Sequence, residues 1–203
     1  MMTVLILISL LPFYLIGAFP TGTLISKLHG VDIASQGSGN VGATNVARVV
    51  GKRAGIFTLL CDALKGVLGV GVAALVVGIQ WYVVSAGVAV VLGHCFSIPR
   101  YLKGGKGVAT ALGVIFALYP SSAAVALVTF GVVFAFSRIV SLASLAATCL
   151  VPLWAFVSNA PDATGVGFLA IAATIAYRHQ ENIRRIMEGR EPKFSTAPPS
   201  AKA

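Results

Sequence analysis

The sequence predicts an all-α polytopic membrane protein with seven transmembrane helices, its N-terminus outside and its C-terminus cytoplasmic. Three observations carry that reading. Of 203 residues, 57% are hydrophobic and only 10% charged, against about 25% charged in a soluble domain. Four long windows are free, or nearly free, of basic residues. The basic residues themselves fall almost entirely between alternate apolar stretches. With a mean hydropathy of +0.91, these features exclude a soluble domain and a disordered chain. The formal net charge of +9 is therefore read first as a topology marker rather than as a nucleic-acid footprint.

The elements follow in order. Met1 to Ser26 carries no charge and lacks the basic stretch of a cleavable signal, so it is expected as a retained first span. Windows 66–99, 107–137 and 139–177 lack basic residues, and only Asp162 interrupts the last. Each exceeds the roughly 17–25 residues of one crossing. Each also carries a turn signal near its middle: Gly78-Ile79-Gln80-Trp81-Tyr82, Tyr119-Pro120-Ser121-Ser122 and Ser158-Asn159-Ala160-Pro161-Asp162. Three out-and-back pairs plus the first span make seven. The first of these pairs begins near Ala54, and window 107–137 is expected as two helices of about 12–15 residues. Residues 1–194 form one membrane domain with cytoplasmic Gly-rich loops at about 27–53 and 98–110. The Pro/Ser/Ala-rich end, 195–203, is expected to be disordered. Cys61, Cys95 and Cys149 lie in apolar runs and are expected as small buried hydrophobes.

Charge sets the orientation. Lys27, Arg48, Lys52 and Arg53 fall in the first loop, Arg100, Lys103 and Lys106 in the third, and Arg138 in the fifth. Arg178, Arg184, Arg185, Arg190, Lys193 and Lys202 fall in the tail, and only Lys65 lies inside a span. Fourteen of the fifteen basic residues thus share one side, which the positive-inside rule makes the cytoplasm.

That side also carries the chemistry. The first loop holds Gly37-Ser38-Gly39-Asn40-Val41-Gly42-Ala43-Thr44-Asn45. It matches G-x-G-x-x-G, but it lies between membrane spans and not in a βαβ unit, so the dinucleotide reading fails. What remains is an anion nest of backbone N–H groups, with Ser38, Asn40, Thr44 and Asn45 as short donors and Arg48 one turn on. The third loop, Gly104-Gly105-Lys106-Gly107, lacks Walker spacing, yet it opens a helix whose N-terminus favours an anion beside Lys106. Asp62 and Lys65 stand at i, i+3 in an apolar helix and suit an ion pair. His94 ends the third span, Ser141 starts the sixth, and His179 and Asn182 share one face after the last. There is no Cys nucleophile, metal cluster or paired carboxylate, so no cofactor or metal is expected. The ligand is expected to be anionic, a phosphate, with apolar helices and membrane lipid beside it.

These residues resemble a known family. Gly37-Ser38-Gly39-Asn40 with Gly42-Ala43-Thr44-Asn45 and Arg48, Asp62 with Lys65-Gly66, and Gly93-His94 match it in order. So do Gly104-Gly105-Lys106-Gly107 with Ala109-Thr110, Ser141, and His179 with Asn182-Ile183. The family is the bacterial acyl-phosphate:glycerol-3-phosphate acyltransferases (PlsY), matched over about residues 10–193. The resemblance implies a seven-helix inner-membrane enzyme of phospholipid synthesis. It would transfer an acyl group from acyl phosphate to the 1-hydroxyl of glycerol 3-phosphate, giving lysophosphatidic acid and phosphate. Acyl-carrier protein would not be a direct donor. By the same resemblance Ser38, Gly39, Asn40, Thr44, Asn45, Arg48, Gly104, Gly105 and Gly107 bind substrate. Lys106, Ser141, His179 and Asn182 serve the reaction, and Asp62, Lys65 and His94 support it. Two family arginines are replaced, by Ala34 and Gln180, and Arg178 and Lys27 are the candidates to stand in for them. The alternative of another class is a transporter for an anionic phosphorylated metabolite.

The topology has a direct test. Single cysteines at Gln80, Ser121 and Asn159, in a Cys-free background, are expected to react with an impermeant reagent from outside the cell. Protection of Ser121 from outside, with labelling from inside, would contradict seven spans.

Overall fold

The computed structural model describes residues 2–97 and 104–194, with side chains from Val4 onward. The expected disordered end at 195–203, and Arg100 and Lys103 of the third loop, lie outside the described residues.

Every regular element described is a helix. The N-terminal apolar segment, Val4–Leu28, is long and apolar enough to cross a membrane. It is built of three pieces: α1 (Met2–Ser9), α2 (Leu11–Ala18) and α3 (Thr21–Leu28). The breaks sit beside Pro12 and Pro20, where a missing N–H is tolerated only at a helix start. A short helix, α4 (Ala43–Val49), lies within the first loop, and α5 (Lys52–Val76) follows. Then come α6 (Gln80–Cys95), α7 (Val108–Leu118), α8 (Pro120–Ser137), α9 (Val140–Val157), α10 (Asp162–Arg178) and the amphipathic α11 (Gln180–Met187).

Each of the three turn signals spans a break between helices and runs into the first turn of the next one. Window 107–137 breaks at Tyr119, but unequally: α7 has 11 residues and α8 has 18, in place of two helices of similar length. The reason is Pro120, which opens α8 in its first turn instead of dividing the window evenly. Four segments are long and apolar enough to span by themselves, Val4–Leu28, α5, α8 and α9, while α6 and α7 are shorter apolar helices.

Helices α6 and α2, α5 and α7, and α8 and α9 pack along one another. Small residues make this possible. A Cβ on Gly93 would meet the Tyr14 carbonyl oxygen at 1.9 Å, and one on Gly113 the Ala63 carbonyl oxygen at 1.9 Å. Close backbone approach of this kind drives helix association in lipid. The outer surface is apolar, with Leu60, Leu64, Leu68, Val128 and Phe136 exposed. Cys95 is buried, but Cys149 is exposed on α9 and Cys61 is half-buried. An apolar run in a membrane helix has a lipid-facing side as well as a core side, and Cys149 is on the former.

The bundle has two distinct ends. At one, Gln80 bonds Thr164 at 3.0 Å, the Trp154 indole bonds Ser121 at 3.2 Å, and the Tyr119 hydroxyl bonds the Ser158 carbonyl at 3.2 Å. These contacts draw the three turns together. At the other end stand Arg48, Lys106, Arg178 and Arg185.

Between the ends lies a buried ion pair. Lys65 Nζ is 2.8 Å from Asp62 Oδ1, as the i, i+3 spacing implied, with both side chains under a tenth exposed. The ammonium also donates to the carbonyls of Gly17 at 3.2 Å and Phe19 at 3.0 Å, and meets His94 Nδ1 at 3.3 Å. One charge thereby ties α5 to α2 and α6. Breaking a buried pair from one side costs about 3–5 kcal/mol, because the other charge is left stranded. Lys65→Met is therefore expected to lower the unfolding temperature in detergent markedly, and the Asp62→Asn/Lys65→Met double variant to lower it less. A double variant as unstable as Lys65→Met would show that the stranded carboxylate is not the cause.

Candidate active site

A cavity of about 1110 Å³ opens among the loops and helix ends at the basic end. Ser38, Gly39, Asn40, Thr44, Asn45, Arg48, Asp62, His94, Gly104, Lys106, Ser141, His179 and Asn182 line it. Of the residues given a substrate, catalytic or supporting role from the sequence, Lys65, Gly105 and Gly107 do not line it. Their place is behind its wall.

The first loop is organised by Asn45. Its Oδ1 accepts from the Ser38 N–H at 3.0 Å, and its Nδ2 donates to the carbonyls of Gln36 at 3.0 Å and Asn40 at 2.9 Å. Asn40 Oδ1 in turn accepts from the Gly42 N–H at 2.8 Å. Several donors of the expected nest are thus satisfied inside the loop. Asn45, expected as a ligand donor, is 2% exposed and uses both ends of its amide as a brace. Among the described residues the Ser38 and Thr44 hydroxyls make no internal hydrogen bond, and both residues line the cavity. Arg48 follows Thr44 by one turn of α4, its guanidinium 5.7 Å over the Phe194 ring.

The glycines of the third loop serve close packing. A Cβ on Gly104 would meet the Cys95 carbonyl oxygen at 2.1 Å, and one on Gly105 would meet His94 Nε2 at 2.2 Å. The Gly105 N–H donates to the His94 carbonyl at 3.0 Å. Gly107 takes a φ of +81° as the N-cap of α7. Arg178 closes the seat, donating from Nε to the Gly105 carbonyl at 3.1 Å and from Nη2 to the Gly104 carbonyl at 3.0 Å. Of the two candidates to replace the missing arginines, Arg178 lines the cavity, whereas Lys27 is exposed and does not.

That seat points Lys106 inward. Its Nζ donates to Asn182 Oδ1 at 2.5 Å. Burial pushes the ammonium down to about 8; Glu191 resists, and Arg185, Arg178 and Arg48 add to the fall. Ser141, in the first turn of α9, donates to Glu191 Oε1 at 2.7 Å, whereas Ser144 and Thr148 bond carbonyls of their own helix. His179 is 2% exposed between α10 and α11. Its Nδ1 lies 2.8 Å from the Ile175 carbonyl, which can only accept, so Nδ1 carries the proton and Nε2 the lone pair of the neutral ring. Burial pushes the imidazole down to about 4, against the supporting bond to Ile175.

Glu191 and Arg185 were not singled out in the sequence. Both line the cavity, with Arg185 Nε 2.6 Å from Glu191 Oε2. Burial would raise the Glu191 carboxyl, but bonds from Ser141, Arg185 and Asn182 prevail and hold it below its ordinary value. Away from the charges the cavity continues between α7, α8 and α9 as an apolar arm lined by Leu112, Ile115, Leu127, Phe130, Ala147 and Val151.

Comparison with known proteins bears on this arrangement. A family model described as glycerol-3-phosphate acyltransferase matches residues 7–189. The chain belongs to this family. A glycerol-3-phosphate acyltransferase of Aquifex aeolicus is 45% identical over 182 residues, covering 89% of this chain and 95% of the relative. One of Thermosynechococcus vestitus is 44% identical over 215 residues, covering 97% and 99%. Two crystal structures of PlsY (YgiH), an integral membrane glycerol 3-phosphate acyltransferase, superpose on it with 44% identity, covering 94% of this chain and 96% of that one. The glycerol 3-phosphate form gives a TM-score of 0.88 and the lysophosphatidic acid form 0.86. The family's all-α polytopic membrane fold is therefore this chain's fold.

Proposed function

We propose that the protein transfers an acyl group from acyl phosphate to the 1-hydroxyl of glycerol 3-phosphate, giving lysophosphatidic acid and phosphate at the cytoplasmic face of the bacterial inner membrane. The observation that carries it is one cavity with two characters. Arg48, Lys106, Arg178 and Arg185 stand at its mouth, and an apolar arm leads between α7, α8 and α9. A phosphorylated glycerol suits the first and an acyl chain the second. Family membership favours acyl transfer over transport of a phosphorylated metabolite.

The topology proposed with it is seven spans in one domain over 1–194, N-terminus outside and C-terminus cytoplasmic. Six apolar segments among the described residues support it, Val4–Leu28, α5, α6, α7, α8 and α9, and α10 supplies the seventh helix. Helix α7 rises only about 17 Å. Its N-terminal loop is seated against the last turn of α6 on the basic side.

The chemistry needs no covalent enzyme intermediate, because acyl phosphate is already an activated anhydride. The 1-hydroxyl oxygen attacks the acyl carbonyl carbon, the carbon–oxygen bond to phosphate breaks, and phosphate leaves with the electron pair. The hydroxyl proton goes to a base. His179 is poorly suited to accept it. At about 4, its conjugate acid marks it as a weaker base than a phosphate monoester, which titrates near 6. A substrate phosphate oxygen takes the proton, and His179 and Asn182 orient the glycerol. Ser38, Thr44, Arg48 and Lys106 hold phosphate oxygens, and Ser141, whose proton goes to Glu191, accepts from a glycerol hydroxyl, so that the two substrates meet at about 3–3.5 Å.

Purified protein given acyl phosphate and glycerol 3-phosphate is expected to release lysophosphatidic acid and phosphate; equal rates with an acyl thioester would reject acyl phosphate as the donor. Lys106→Ala is expected to lower kcat/KM by at least about 10–150-fold, the value of a hydrogen bond to a charged group. Wild-type kcat/KM should fall as the pH rises through about 8, where Lys106 loses its proton. His179 stays neutral above about pH 4, so an acid limb near pH 6 should persist in His179→Ala on a lower plateau. Loss of that limb in the variant would make His179 the base.

A further inference from the structure

Of the four cations at the cavity mouth, three are held by hydrogen bonds. Lys106 donates to Asn182, Arg178 to the carbonyls of Gly104 and Gly105, and Arg185 to Glu191. Arg48 differs. Among the described residues its guanidinium donates no hydrogen bond to the protein. What lies against it is the Phe194 ring, with Arg48 Cζ 5.7 Å from the ring centre. A guanidinium stacked on a ring gives up a face and no N–H, so its planar fork stays available to a phosphate. Without such support a long arginine side chain visits many rotamers and must lose them on binding.

Phe194 is itself fixed from two directions. Its N–H donates to the Arg138 carbonyl at 2.7 Å, and its ring meets the Phe134 ring edge-on at 6.0 Å. Phe130, Phe134 and Arg138 follow one another at i, i+4 intervals and share one face at the end of α8. Phe130 stacks on Phe134 at 5.8 Å and lines the apolar arm, and the Arg138 guanidinium lies 5.6 Å over Phe134. A row of three rings therefore runs from the acyl arm to Arg48. Phe194, its last member, lies past residues 7–189, which match the family model.

We propose that Phe194 is a positioning residue for glycerol 3-phosphate: its ring is the platform that holds the Arg48 guanidinium at the cavity with its N–H groups free for the phosphate. This rests on the acyltransferase reading for its effect on substrate binding. Phe194 does not line the cavity and acts through Arg48. The π face is what matters. A leucine at this position would still pack against Phe134, but it has no negative face to offer a cation.

The test uses the full chain in detergent with Phe194→Leu, Phe194→Tyr, Arg48→Ala and the Phe194→Leu/Arg48→Ala pair. Phe194→Leu is expected to raise KM for glycerol 3-phosphate about 2–5-fold with kcat little changed. Phe194→Tyr, which keeps the ring, should stay near wild type. With Arg48 already alanine, Phe194→Leu should add no further rise. A second readout needs no turnover. The Arg48 Hε resonance, assigned by its loss in Arg48→Ala, is displaced by the ring beneath it. Phe194→Leu should return it toward the position of a solvated arginine, and Phe194→Tyr should leave it in place. Should Phe194→Leu fail to fold, Phe194→Met replaces it in every arm. An unchanged KM in Phe194→Leu overturns the proposal, as does an equal rise when Arg48 is absent. So does a Phe194→Tyr protein that behaves as Phe194→Leu, or an unmoved Arg48 resonance. Absence of turnover in the wild-type protein would sink the acyltransferase reading instead, and the Arg48 resonance would then decide the role of Phe194.

Discussion

A charge inside an apolar helix must be satisfied in full, and that constraint on Lys65 places most of what matters in this protein. The ammonium sits between Asp62, two carbonyls at the end of α2 and the His94 ring. These partners lie on three different helices, so meeting them together fixes α2, α5 and α6 relative to one another. His94 then becomes a wall. Gly105 can lie against that ring only because it has no Cβ, and Gly104 lies as close to the Cys95 carbonyl. The direction of Lys106 follows from where those two glycines rest. A residue that never touches the cavity therefore sets the position of one that does.

The cavity brings together four basic groups that would repel one another if left alone. Three devices hold them. Arg178 is bound to loop carbonyls and lies 5.4 Å over the Phe96 ring. Arg185 is paired with Glu191. Arg48 and Lys106 are left to face an anion, with burial and mutual repulsion lowering the affinity of Lys106 for its proton. A phosphate entering this place offsets that repulsion, so relief of unfavourable electrostatics among the protein's own cations contributes to binding.

Much of this architecture was legible in the chain, for physical reasons that act locally. Pro120, Pro161 and Gly78 each stand at a helix boundary. An i, i+3 pair in an apolar helix has few places to go, so Asp62 and Lys65 met as their spacing required. Helix lengths were less legible, since Pro120 starts a helix as readily as it divides one. The glycines of the third loop read as an anion turn, and their packing role needed the end of α6 in place beside them. Asn45 is a short polar side chain in a Gly-rich loop; only the folded loop shows its amide turned inward. Glu191 was hidden by distance, fifty residues from Ser141. The one hint was its place just past a Gly189 turn, as one of three acidic residues in a tail with more basic ones.

The central claim is that one cavity holds both the charged head and the acyl chain, with the head at the basic end. A structure of this protein with lysophosphatidic acid bound tests it most directly. The phosphate is expected within hydrogen-bond distance of Lys106, and the chain between α7, α8 and α9, against Leu112, Phe130 and Ala147. A phosphate at the end carrying Gln80, Ser121 and Asn159, or a chain lying along the outer face of the bundle, would contradict it.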